Sequence, residues 1–173
     1  QPAYIQYWHW LKNLIRLDLG HSLFYQRPVL PVVADALAKT LWMGIPALIL
    51  GFGLGITVGT AHGIAGERPT GRMLDFFSAI ILSLPSLLLG LAALLFAAHT
   101  HWFPLGGMSS PLNQDSGFWS LATDRLHHLI LPVACLTIPI FAYVERIQYS
   151  ATRNSQRELY VRFARSRGLS SRR

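Results

Sequence analysis

The sequence predicts an all-α, polytopic membrane protein, and its charge distribution carries this prediction. Only 13% of the 173 residues are charged, whereas soluble domains carry about a quarter. The deficit is local, because the segments 41–60, 76–98 and 129–144 contain no Asp, Glu, Lys or Arg. A membrane-spanning helix needs about 20 apolar residues. We therefore expect these three segments to cross a membrane.

The N-terminal segment, 1–36, is rich in aromatic residues. Tyr4, Trp8 and Leu11 recur at helical spacing, and Trp and Tyr are enriched at the interface between membrane and water. This pattern predicts a helix lying on the membrane, followed by a loop around 17–22. A lid packed on a neighbouring subunit is the alternative.

The first span contains a stripe of glycines. Gly51, Gly55 and Gly59 recur every four residues, and small residues at this spacing let a second membrane helix approach closely. We predict that this stripe is a helix-packing face, and that Pro46 bends the start of the span.

A short polar loop, 62–72, is expected after the first span. Asp75 follows it, and a carboxylate is favourable at a helix N-terminus. The sequence therefore predicts that Asp75 caps the second span.

The second span is interrupted at its centre by Ser83-Leu84-Pro85-Ser86. Proline frees a backbone carbonyl one turn back, and such a break is tolerated chiefly where it faces protein or a water-filled path. Ser83, Pro85 and Ser86 are thus candidates for residues beside a translocation path. A purely structural kink is the alternative.

Metal and ATP sites are not indicated within this chain. The segment 99–128 carries four histidines, but no carboxylate or cysteine stands at a spacing that would complete a metal site. The single cysteine, Cys135, lies in an apolar run. The only lysines are Lys12 and Lys39, and neither follows a phosphate-binding glycine loop. We predict no metal, no cofactor and no enzymatic activity.

The third span contains Pro132 and Pro139, which predict bends. Its helix is expected to run past Glu145 and Arg146, whose side chains would reach water by snorkelling.

The basic residues predict the orientation. The loop 61–75 carries two, the segment 99–128 carries one, and eight arginines follow from Arg146 onward. The positive-inside rule places the first of these loops and the tail in the cytoplasm. The segment 1–36 is then outside, and an earlier span is required if the protein begins inside. We interpret the chain as a fragment.

The Arg-rich tail, 157–169, has the pattern of an amphipathic helix. Tyr160, Ala164 and Gly168 stand four apart, and two small residues leave room for a protein to pack closely. A docking helix is one interpretation. The other is a membrane-anchored protein whose tail binds anionic lipid or another partner, without transport.

The stretch Tyr160-Val161-Arg162-Phe163-Ala164-Arg165-Ser166-Arg167-Gly168-Leu169-Ser170 resembles the Y-V-R-T-A-R-A-K-G-L-S motif of the binding-protein-dependent transport inner-membrane family. These proteins are permease subunits of dipeptide, oligopeptide and nickel ABC importers. Weaker matches follow in the same order along the chain: Asp18-Leu19-Gly20, Ser83 with Pro85, and His128-Leu129-Ile130-Leu131-Pro132. Leu17 departs from the family, which usually has glycine there, and Phe163 is bulky where a small residue is usual.

The resemblance implies an all-α permease with about six spans, of which this chain covers about three. Its segments would be a periplasmic or interfacial part (1–36), a transmembrane core (37–156) and a truncated cytoplasmic coupling loop (157–173). In that loop, the residues matching the family's ATPase-docking motif are Tyr160, Arg162, Ala164, Arg165 and Gly168.

The resemblance also implies partners and a location. They are a second permease subunit, two cytoplasmic ATP-binding subunits that hydrolyse ATP, a periplasmic substrate-binding protein and membrane lipid, with no nucleic acid. The location would be the bacterial inner membrane, with import of peptides or similar small solutes. Peptide, nickel, glutathione and sugar importers share these motifs, so the substrate stays open.

Overall fold

The computed structural model describes residues 2–65, 69–110 and 117–168, and the regular elements in these ranges are helices. In chain order they are α1 (Ala3–Ile15), α2 (Val29–Ala65), α3 (Pro69–Ser83), α4 (Ser86–Thr100), α5 (Phe118–Arg157) and α6 (Leu159–Ser166). The predicted all-α class is confirmed. The chain divides into two compact units, Gln1–Trp42 and Met43–Arg173, which are described separately.

The first unit consists of α1, a tight loop and the start of α2. In the loop, Asp18 Oδ1 accepts a hydrogen bond of 3.0 Å from the Gly20 N–H, and Gly20 has a φ of +71°. Leu17 has a φ of +60°, a conformation that costs a residue with a Cβ about 1–2 kcal/mol. This left-handed turn explains why glycine suits the position of Leu17.

The aromatic residues of α1 are exposed. Tyr4, Tyr7, Trp8 and Trp10 each keep more than half of their surface accessible. The helix predicted here is confirmed, and its place on a membrane surface stays a prediction.

In the described part of the chain, α2 and α5 are the two individual helices long and apolar enough to cross a membrane. They contain 37 and 40 residues, or about 55–60 Å of helix, against a hydrocarbon core of about 30 Å. Both run on through their internal prolines, Pro46 in α2 and Pro132 and Pro139 in α5.

A third candidate span is formed by two helices with a bend between them, as in a broken span or a re-entrant loop. The helices α3 and α4 meet at 97°, where Pro85, which lacks an N–H, interrupts the backbone hydrogen bonds. The Ser83 hydroxyl donates to the Ala79 carbonyl at 2.8 Å, one turn back. The predicted interruption therefore coincides with a sharp bend between two short helices.

The polar loop predicted at 62–72 is shorter than expected. Helix α2 continues to Ala65, and α3 begins at Pro69, a position at which proline suits a helix because its missing N–H would have no partner. Asp75 consequently lies in the second turn of α3, so the prediction that it caps the helix is wrong.

Helix α5 is the axis of the second unit. It packs against α3 and α4 and leads directly into α6. The two helices are separated at Glu158, whose extended ψ of 143° stops the helical hydrogen bonding. Most large apolar side chains of this unit are exposed, and the buried apolar residues are small or medium: Ala47, Ala97, Val133, Ala142 and Val144. An apolar exterior over a small-residue core is what lipid-facing helices require.

Candidate functional site

The glycine stripe of α2 lies against α5. A Cβ added at Gly51 would come within 2.5 Å of the Ile140 side chain, and one at Gly55 within 2.7 Å of Val144. One at Gly59 would lie 2.6 Å from the backbone oxygen of Glu145. These separations are below ordinary van der Waals contact, so only glycine admits the observed approach of α5.

The stripe continues beyond the residues that the sequence suggested. Gly63 is buried, and a Cβ there would lie 2.6 Å from Thr152. Polar side chains add bonds along the same interface, since Gln148 Nε2 donates to Thr60 Oγ1 at 3.0 Å and Gln156 Nε2 to the Gly63 carbonyl at 3.5 Å. Polar residues at the end of α5 therefore have partners on α2.

A buried polar cluster lies where α2, α3 and α5 meet; we call Glu145, His62 and Ser78 the polar joint. Glu145 is 0% exposed, and the other two are each 2% exposed. The Glu145 carboxylate contacts His62 Nδ1 through Oε1 at 2.7 Å, and its Oε2 accepts from the Ser78 hydroxyl at 2.8 Å. Each carboxylate oxygen is thus bonded to a different helix.

The imidazole of His62 is held from a second side. Its ring stacks on Tyr149 with centroids 4.0 Å apart. Its Nε2 has no hydrogen-bond partner among the described residues and lies 3.8 Å from Asp75 Oδ2. Asp75 itself accepts from the Arg146 guanidinium. The polar joint is therefore bordered by a half-exposed ion pair between α3 and α5.

The expectation that Glu145 snorkels is wrong. Its side chain points into the interface, because the close approach of α2 and α5 at Gly59 brings His62 within hydrogen-bond distance of the carboxylate. Ser78 of α3 bonds to the other carboxylate oxygen. A charged group placed there without partners would be strongly destabilising. Arg146, the next residue, keeps 53% of its side chain exposed. Sequence reasoning missed His62 and Ser78 as well, although His62 stands three residues after Gly59, about one helical turn along α2.

The predicted path residues lie at the bend. Ser83, Pro85 and Ser86 are all exposed. Ser86 also lines a cavity of about 690 Å³ between α4, the segment 104–107 and α5, with Leu94, Pro104, His128, Leu131 and Cys135. The His128 Nδ1–H donates to the Asp124 carbonyl at 2.8 Å. The cavity is mainly apolar with few polar groups.

The predicted docking residues belong to α6 and the residues after it. Tyr160 is 68% exposed, and Gly168 follows the helix with a φ of +80°. The backbone of Arg162, Ala164 and Arg165 is helical, but their side chains lie outside the described part of the structure. Residues 169–173 of the predicted coupling loop also lie outside it.

No group of three or more His, Cys, Asp or Glu residues in the described ranges is arranged to hold a metal ion. The polar joint consists of a carboxylate, an imidazole and a hydroxyl, and its contacts are hydrogen bonds between helices.

Comparison with known proteins gives concordant matches. A family model described as "Binding-protein-dependent transport system inner membrane component" matches residues 51–173. The chain is 32% identical, over 98% of its length, to the probable peptide ABC transporter permease protein y4tP of Sinorhizobium fredii. It is 30% identical over 97% to the oligopeptide transport system permease protein AppB of Bacillus subtilis, and 28% identical over 98% to the glutathione transport system permease protein GsiC of Escherichia coli. These matches cover 51–52% of the relatives, so the chain spans about half the length of the curated relatives it matches.

Proposed function

This chain belongs to the family of binding-protein-dependent transport system inner membrane components, and we propose that it acts as a permease subunit of an ABC importer for peptides or similar small solutes. The observation that carries the proposal is the similarity to peptide, oligopeptide and glutathione permeases over nearly the whole chain. The long apolar helices α2 and α5 support it, because a permease must build its path from spanning helices.

The proposed assembly contains a second permease subunit, two cytoplasmic ATP-binding subunits and a periplasmic substrate-binding protein, in the bacterial inner membrane. ATP hydrolysis in the ATP-binding subunits would supply the energy for transport. The permease would convert their closure into a rearrangement of its helices.

We assign ATPase docking to α6 and the residues after it. This short helix exposes about two thirds of Leu159, Tyr160 and Phe163, an unusual surface for a basic segment in water. It is joined to α5 by Glu158 alone, so a force on α6 acts directly on a spanning helix. The left-handed φ of Gly168 supports a role for glycine in ending the docking segment.

We assign the translocation path to the side of the broken span. The 97° bend exposes Ser83, Pro85 and Ser86, and the cavity at Ser86 offers mainly apolar walls with the polar groups of His128 and Cys135. Small-solute sites commonly combine such walls with a few polar groups.

The docking assignment is tested with the full-length permease co-expressed with the ATP-binding subunits proposed as its partners. Ala164→Glu and Gly168→Glu place a carboxylate in the proposed interface, where an unpaired buried charge is costly. We expect co-purification of the ATP-binding subunits to fall at least about tenfold, and stimulated ATP hydrolysis to fall with it.

Ala151→Glu is the matched control for Ala164→Glu, because Ala151 is an exposed residue of α5 and the substitution is the same. It should leave assembly unchanged. Unchanged assembly and unchanged ATP hydrolysis in both docking variants would refute the docking role. Salt-sensitive binding of the tail to anionic vesicles, without any ATPase partner, would instead identify a lipid anchor.

A further inference from the structure

The polar joint connects three helices through one carboxylate, and we propose that Glu145 is a positioning residue that makes α2, α3 and α5 move together when α6 is displaced. This role rests on the proposed function of α6 as the docking helix. It concerns how displacement passes through the membrane part of the permease.

The bonding of Glu145 is directional and complete. One oxygen contacts His62 on α2 at 2.7 Å, and the other accepts from Ser78 on α3 at 2.8 Å. Because Glu145 is fully buried, water cannot replace a bond that is lost. A slide of α5 past either neighbour would therefore leave a buried polar group without a partner.

The glycine stripe alone would not supply this coupling. Gly55 and Gly59 bring the backbones of α2 and α5 together, and such packing has no preferred bonding direction. Buried ion pairs are also weak contributors to net stability, since apolar replacements are often equally stable. The polar joint therefore contributes something that packing does not: its hydrogen bonds fix the register of the three helices.

The surroundings of the joint hold its members in place. Tyr149 stacks on the His62 ring at 4.0 Å, which restricts the plane of the imidazole whose Nδ1 contacts the carboxylate. One residue after Glu145, Arg146 pairs with Asp75 on α3. Two successive residues of α5 thus contact α3, one in the interior and one at the surface.

The position of the joint along the chain suits transmission. Glu145 lies 12 residues before the end of α5, or about 18 Å along the helix, and α6 begins two residues after that end. Ser78 lies five residues before Ser83, where α3 ends at the bend. A displacement of α6 therefore reaches the broken span through α5, Glu145 and α3.

The test measures whether α3 follows α5 in the complete transporter. Spin labels at Met73→Cys on α3 and Ser150→Cys on α5, both exposed, are introduced into a permease from which Cys135 and other native cysteines are removed. Their separation is measured by pulsed electron resonance, in complex with the ATP-binding subunits, without nucleotide and after trapping with ATP and vanadate. In the wild type, we expect the separation to stay constant on trapping.

The informative variant is the double replacement Glu145→Ala with His62→Ala, which removes both members of the pair and leaves no unpaired charge. We expect it to bind the ATP-binding subunits normally, while its α3–α5 separation shifts on trapping by at least about 1–2 Å, the size of helix shifts in switching proteins. Glu145→Gln keeps the shape of the side chain but replaces one acceptor oxygen with an amide N–H. Because the Ser78 hydroxyl can accept as well as donate, both contacts can still form, and the variant should behave as wild type.

Ser78→Ala is a milder variant that removes only the bond to α3. Thr57→Ala is its control, because the exposed Thr57 hydroxyl bonds to the carbonyls of Gly53 and Leu54 in its own helix. The former should shift in the same direction as the double variant, and the latter should not. Normal docking with a constant separation in both the double variant and Ser78→Ala would overturn the role of Glu145 alone. Failure of the wild type to bind the ATP-binding subunits would overturn the proposed function, and this role with it.

Discussion

The bend at Ser83–Ser86 and the polar joint both place polar groups within apolar helices, but they satisfy those groups in different ways. At the bend, the Ser83 hydroxyl bonds to the carbonyl of Ala79 in its own helix, and the side chain remains exposed. At the joint, Ser78 bonds to Glu145, 67 positions away, and is 2% exposed. Two serines of one helix thus serve different purposes.

The difference shows that a polar residue in a membrane helix has no fixed meaning. A hydroxyl bonded one turn back is satisfied wherever its helix lies. A hydroxyl bonded to another helix fixes how the two helices pack. Only the second kind makes the position of one helix depend on another.

The largest loss of stability is expected at Gly59, because the polar joint depends on the close approach of α5 to this glycine. In Gly59→Leu, the new Cβ would meet the Glu145 backbone oxygen at 2.6 Å, and a backbone atom cannot turn aside. We expect a loss of more than about 3 kcal/mol in the free energy of unfolding, above the usual range for overpacking. Unfolding by SDS in detergent micelles measures it.

Gly53→Leu is the control for this prediction, because a Cβ at Gly53 would meet no described atom of another helix within 4 Å. Its effect should stay within about 0.5 kcal/mol. Equal losses in both variants would mean that the stripe does not set the distance between α2 and α5.

Alanine substitutions at the two serines compare the polar joint with the bend directly. Ser78→Ala removes a hydrogen bond to a buried carboxylate, which costs about 1.5–3 kcal/mol, whereas Ser83→Ala should change the free energy of unfolding by less than about 0.5 kcal/mol. The same SDS titration compares them. A larger loss at Ser83 than at Ser78 would reverse our assignment of the two regions.

The smallest effect is expected at the border of the joint. Asp75→Asn removes the charge of an ion pair whose side chains are 40% and 53% exposed, and exposed pairs contribute about 0–1 kcal/mol. We expect a loss below about 1 kcal/mol that shrinks further as salt is raised. A loss as large as that of Ser78→Ala would show that Asp75 belongs to the buried network through His62.

Much of the fold could be predicted from the sequence because its causes are local. The absence of charge over 41–60 and 129–144 places apolar helices there whatever their neighbours are, and Pro85 interrupts a helix by its own geometry. The family resemblance, carried by the stretch from Tyr160 to Ser170, is confirmed by the comparisons. The docking and path residues stay predictions.

The polar joint could not be predicted, because its partners are far apart in the chain. Glu145 next to Arg146 at the end of an apolar run has the pattern of a residue that reaches water, and Asp75 after a polar loop has the pattern of a cap. Both interpretations used neighbours in sequence alone. The bond between His62 and Glu145 spans 83 positions.

The sequence by itself therefore determined where the helices form, where one breaks and which family the chain resembles, since composition, proline and motif act through adjacent residues. Tertiary structure alone decided what Glu145 does. Glycine at positions 55 and 59 lets α5 approach α2, which brings the Glu145 carboxylate to His62, and Ser78 of α3 bonds to its other oxygen. Burial removes the competition of water, so contact geometry sets the role of the charge.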